Sequence, residues 1–316
     1  MAPSTEQFDD LLAWHPGDVE AARGGPLTAL VWGARRAANA KLLIFWLWLA
    51  HALFLQGAAG AFLEAVRAGS SASDVYRALL DAGTSGAAFT IPSLDAGARA
   101  MILASISRPL WSPSAYFILF YGVLAGGAIA YLHAPRPAPF LPQFGAACGA
   151  YVGRFTRLLL IAAFLSWALQ LIGAVLFRSP AVGNALWLQL LLWQPAVVGF
   201  AAVMDYARVR AVSRDSRSMV LETARSARFF IRNLPRTLSL ELALVVVASI
   251  IGAAALGLAS ALRAFLPADT ALWVGEQVYV VGALWVRLTA WAAMLSLYQG
   301  ITAQRLSRGA APVTES

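Results

Sequence analysis

Charge of either sign is scarce in this chain, and the side chains that usually carry chemistry are scarcer. Only 13% of the 316 residues are charged, where a soluble domain carries about 25%. A single cysteine, Cys148, cannot close an intramolecular disulfide. The three histidines, His15, His51 and His133, fall in no H-E-x-x-H pattern and no spacing that suits a metal. There is no G-x-S-x-G nucleophile turn and no phosphate-binding glycine loop either. These absences lead us to expect no metal, no cofactor and no enzymatic activity, leaving open only a membrane-embedded site assembled from dispersed residues. Lysine is reduced to Lys41 among 24 basic residues, a bias that fits a GC-rich bacterial genome.

What the chain has instead is apolar length. Hydrophobic residues make up 59% of it and the mean hydropathy is +0.67, against the 45–50% apolar residues of ordinary soluble domains. The expected class is an all-α integral membrane protein, a polytopic helix bundle. A bilayer core needs roughly 20 predominantly apolar residues per helix, and six stretches qualify: about 42–66, 111–133, 158–177, 185–204, 238–262 and 277–300. The division expected is a cytoplasmic segment 1–41, a membrane domain 42–300 and a tail 301–316. The first span starts too far along the chain, and runs too long, for a cleaved signal peptide.

Basic residues set the orientation. Seventeen lie before span one, between spans two and three, between four and five, and after six, against six on the other side. Both termini are therefore expected in the cytoplasm of a bacterial inner membrane. The outer loop 67–110 contains SASDVYRALLDAG, which reads as a short amphipathic helix. A net charge of +8 raises the question of nucleic acid, but the basic residues flank apolar spans, so anionic lipid headgroups are the expected partners.

Eight of those arginines crowd between Arg208 and Arg236. On one continuous helix Arg214, Arg217, Arg225, Arg228, Arg232 and Arg236 share an arc of about 100°, with Met219, Val220, Ala227, Phe230, Ile231 and Leu234 opposite. That is the pattern of an interfacial helix whose arginines face anionic headgroups. The same pattern also serves as a positive-inside signal alone, or as a dock for a cytoplasmic protein partner. A faint repeat supports the interfacial reading: Lys41 to Gly57, Arg157 to Gly173 and Arg236 to Gly252 share one spacing. Basic-apolar stretches such as FGAACGAYVGRFTR precede these spans. The arrangement expected is three units, each an interfacial helix followed by a two-span hairpin.

Two segments, DYARVRAV with the basic stretch behind it and EQVYVVGALWVRLTAW, carry a resemblance to a group of uncharacterised six-span bacterial membrane proteins. These are distantly similar to the membrane domain attached to some glycerophosphodiester phosphodiesterases. The resemblance implies a six-helix fold and no activity, because the catalytic domain has no counterpart here.

Polar residues at membrane depth are costly. Counted from the span ends at about 1.5 Å per residue, His51, Gln170, Gln194 and Arg287 form one midplane layer. An arginine there costs roughly 2.5–3.5 kcal/mol, so Arg287 should face the bundle interior, with Gln194, His51 or the Leu191 carbonyl, freed by Pro195, as its partner. A second layer, a cytoplasmic collar, comprises Asp205, Arg208, Arg210, Arg236 and Glu241. Asp205 and Arg208 are spaced to pair on one helix face, whereas Glu241 is expected too far in depth to reach Arg287. The reading reached is a non-enzymatic membrane scaffold or accessory component. The alternative is a small permease or lipid-handling transporter using the midplane layer.

Overall fold

The computed structural model of the chain describes residues 24–53, 118–134, 139–176 and 186–309. The outer-loop helix expected within 67–110 and the ends of several expected spans lie outside these residues. The described residues are all-helical and contain no strand. In chain order they form α1 (Pro26–Asn39), α2 (Lys41–Leu53), a π-helical turn (Leu119–Leu124) running into α3 (Ala125–His133), α4 (Phe140–Leu176), α5 (Leu186–Ser213), α6 (Met219–Arg232), α7 (Leu234–Leu262) and α8 (Ala268–Gly309).

Among the described residues three helices are long and apolar enough to cross a membrane: Phe140–Gly173, Leu234–Leu262 and Thr270–Gln304. Two shorter apolar helices, Lys41–Leu53 and Leu119–His133, fall in the first two expected spans. The three long helices differ in where their apolar surface goes. In α8 67% of the most apolar window is buried in the protein, against 12% in α4 and 17% in α7. The outward faces of α4 and α7 expose Leu160, Phe164, Trp167, Val246 and Ile250, side chains that each gain about 1.5–3 kcal/mol from an apolar environment. A bilayer supplies that environment.

α8 is the hub: it packs against α1, α3, α5 and α7, and from Leu288 to Ile301 every residue is buried. Small residues let the helices approach. A Cβ added at Gly33 of α1 would sit 2.6 Å from the Thr289 carbonyl oxygen and 2.8 Å from the Ala293 nitrogen of α8. This is the close backbone contact that small residues permit between membrane helices.

Two expectations about the helices need correction. Residues 214–236 are not one helix. α5 continues to Ser213, the chain turns through residues 214–218 with Asp215 at φ 46°, and α6 then runs from Met219 to Arg232. Asn233 breaks the chain again and Pro235 occupies the first turn of α7. Arg214 and Arg217 therefore belong to a turn and Arg236 to α7. The run Ser213-Arg-Asp-Ser-Arg-Ser218 is rich in residues whose side chains compete for backbone hydrogen bonds, and proline suits a helix's first turn. The second correction concerns the second expected unit, where the stretch before span three is no separate helix. α4 is continuous over 37 residues, and Arg157 lies in its interior. Gly145, Gly149 and Gly153 each weaken a helix by about 1 kcal/mol, but no proline or capping sequence stops it.

Candidate functional site

Asp205 lies eight residues before the end of α5 and is 2% exposed. One turn on, Arg208 donates from Nη1 to Asp205 Oδ1 at 2.7 Å, the pair read from their spacing. From α8, Arg287 closes a fork on the same carboxylate, Nη2 to Oδ1 at 2.9 Å and Nη1 to Oδ2 at 2.8 Å. Trp291, one turn beyond Arg287, adds its indole Nε1–H at 3.3 Å. A single carboxylate thus ties α5 to α8 and receives two guanidiniums.

Aromatic rings close the node. The guanidiniums of Arg208 and Arg287 lie 4.7 and 5.0 Å from the centre of the Tyr121 ring, and Arg287 also lies 5.3 Å from Trp291. Phe120 stacks on Trp291 at 5.8 Å. Both Phe120 and Tyr121 come from the π-helical turn Leu119–Leu124, whose wider winding carries two adjacent aromatic residues to Trp291. Ring faces attract cations more strongly when water is excluded, so the surplus positive charge of the node is partly stabilised there.

This geometry revises the two-layer picture. Arg287, expected at the midplane with Gln194, His51 or the Leu191 carbonyl, is held by Asp205, expected in the collar. Counting depth from span ends treats helices as upright rods of equal height. α8 has 42 residues and α5 has 28, and an arginine side chain reaches along the axis besides. His51 is half-buried on α2; the side chains of Gln170 and Gln194 lie outside the described residues. α5 continues through Pro195. Glu241 is half-buried on α7, and no ion pair to Arg287 forms. Arg236 is exposed at the start of α7.

Arg210 leaves the expected collar for a second node. Its Nε donates to Glu222 Oε2 at 2.9 Å, while Arg225 Nη1 donates to Oε1 at 2.9 Å. Glu222 is 0% exposed. Arg210 and Arg214 lie 4.9 and 5.7 Å from the ring centre of Tyr298 on α8. Beside them opens a cavity of about 300 Å³ lined by Arg210, Arg214, Arg225, Arg228, Arg232 and Tyr298, among others. Four of the five arginines expected to face lipid headgroups therefore line one concavity, and Arg217 is exposed outside it. On the other side of α6, an apolar groove of about 400 Å³ runs between α4, α5 and α6 past Ile161, Leu165, Phe200, Val203 and Phe230.

Glu222, Tyr121, Trp291 and Tyr298 escaped the sequence reading. Glu222 had a signal, as the one acid inside the arginine-rich stretch after Asp215, and so did Trp291, one helical turn from Arg287. Nothing local pointed to Tyr121 or Tyr298, whose partners are distant in sequence. Among the described residues no group of three or more His, Cys, Asp or Glu could hold a metal ion. The segments DYARVRAV and EQVYVVGALWVRLTAW meet in space, through Asp205 on one side and Arg287 and Trp291 on the other. No protein-family model, curated protein or solved structure matches the chain.

Proposed function

We propose that the chain is a non-enzymatic multi-pass protein of a bacterial inner membrane, a scaffold or accessory component with six spans and both termini cytoplasmic. Anionic lipid headgroups are its partners at the cytoplasmic face. The resemblance to six-span proteins related to phosphodiesterase membrane domains is part of this proposal and brings no activity with it. One observation supports the scaffold role above others: Arg287, the charge a permeation path would use, is engaged by a carboxylate fork and two aromatic rings. Neither cavity described above touches it.

A second reading, a small permease or lipid-handling transporter, has its own support. Arg208 Nε, Arg287 Nε, Tyr206 Oη and Glu241 Oε1 are buried without a hydrogen-bond partner, and polar atoms in that condition call for water or a ligand. Two variants separate the readings. Arg287→Gln keeps a donor for Asp205 and should stay within about 1 kcal/mol of wild-type stability in detergent. Arg287→Leu leaves Asp205 Oδ2 without its donor and should cost about 1–3 kcal/mol. A Gln variant that is stable and complements a deletion strain supports the scaffold. If it is stable but inactive, the charge itself is needed and the permease takes its place, because an amide cannot replace a guanidinium fork.

A further inference from the structure

We infer that the cavity between α5, α6 and α8 is a discrete binding site for a dianionic phosphate group, a phosphomonoester or its equivalent. This goes beyond the scaffold reading and does not depend on the role of the Asp205 node. Five guanidiniums line the cavity, and the one carboxylate among them, Glu222, leaves a formal excess of four positive charges. Glu222 sits beneath the cavity, 0% exposed, and takes up Arg210 and Arg225 alone. Arg228 and Arg232 lie on the same face of α6 as Arg225 and form no ion pair among the described residues. Arg214, Arg225, Arg228 and Arg232 are exposed and Arg210 is buried, so the cavity is open to solvent on the side from which an anion would enter.

A second, independent observation points to a ligand. Tyr298 lines the cavity and is 2% exposed, yet its Oη has no hydrogen-bond partner. A buried phenol without a partner forfeits about 1–3 kcal/mol, and a phosphate oxygen would accept its proton. The Thr302 hydroxyl already donates to the Tyr298 carbonyl at 2.8 Å, so recognition falls to the guanidiniums and the phenol. The guanidiniums only donate, and the phenol can donate as well, a set weighted towards an anion. Arginine forks match phosphate oxygens in pairs. A volume of about 300 Å³ is at the small end of ligand sites, enough for a phosphate and a small portion of what bears it.

The bearer is a lipid headgroup or a soluble phosphate compound, and the test distinguishes them. The full-length protein, purified in detergent, is titrated with inorganic phosphate and separately with a short-chain phosphatidic acid; vesicles containing phosphatidic acid or phosphatidylglycerol at matched surface charge follow. We expect saturable binding at one site per chain and at least a tenfold preference for the monoester over the diester lipid. A phosphomonoester carries about −1.5 to −2 charges at neutral pH, whereas a diester carries one. Arg228→Gln with Arg232→Gln should weaken binding tenfold or more, while Arg217→Gln, outside the cavity, should change it less than twofold. Saturation by inorganic phosphate identifies a soluble ligand and saturation by phosphatidic acid alone a lipid; both uphold the site. Equal binding of the two lipids, equal loss in the Arg217 variant, or no saturable binding of either probe overturns it.

Discussion

The two buried carboxylates of α5 and α6 are built alike and used differently. Asp205 and Glu222 are both buried, and each receives two arginines and has aromatic rings beside it. Around Asp205 the excess is one positive charge, the second guanidinium is covered by Tyr121 and Trp291, and the carboxylate links α5 to α8, 82 positions apart. Around Glu222 three further arginines crowd an open cavity. A carboxylate whose single excess charge is covered by aromatic rings fastens helices. An unbalanced and open one holds arginines ready for an anion that the chain does not supply.

The contrast is sharpest in alanine variants. Asp205→Ala should be the more damaging, because it strands Arg208 and Arg287, whose side chains are 5% and 28% exposed. Removing one partner of a buried pair costs about 3–5 kcal/mol. Glu222→Ala should fall at or below the low end of that range, since Arg225 is 48% exposed and turns into solvent once released. Thermal unfolding in one detergent ranks the two, and an equal or reversed order would erase the distinction drawn here. The smallest effect belongs to the pair between Arg154 of α4 and Asp215 in the turn after α5. Asp215 is 75% exposed, and exposed pairs contribute about 0–1 kcal/mol. Arg154→Ala should therefore shift stability by less than about 1 kcal/mol, and a larger loss would mean that the turn is clamped as firmly as the nodes.

Much of this was legible in the sequence, for identifiable reasons. Hydropathy located the three long apolar helices, although only the structure tells α8, buried among its neighbours, from α4 and α7, which present their apolar faces outward. The Asp205–Arg208 pair followed from helical spacing, and the need of Arg287 for an interior partner followed from the cost of its charge. Which partner it takes did not, because that depends on how α5 and α8 are staggered, and stagger leaves no local trace. The breaks at residues 214–218 and at Asn233 were signalled by Ser, Asp, Asn and Pro, but the arginine arc drew the reading across them. The continuity of α4 was hidden by the likeness of its first half to basic-apolar stretches elsewhere. The cavity was hidden for a different reason: Arg225, Arg228 and Arg232 share a helix face, but only the approach of Tyr298 from α8 turns that face into a pocket.

The most direct test of the central claim, that Asp205 and Arg287 act as one unit fastening α5 to α8, is a double-mutant cycle. Asp205→Asn, Arg287→Leu and the combination are unfolded reversibly in mixed micelles and their stabilities compared with wild type. The structure predicts a coupling energy of about 1 kcal/mol or more, as for residues in contact within one network, with the double variant losing clearly less than the two single losses added together. Additivity within about 0.3–0.5 kcal/mol, the behaviour of independent sites, would contradict it.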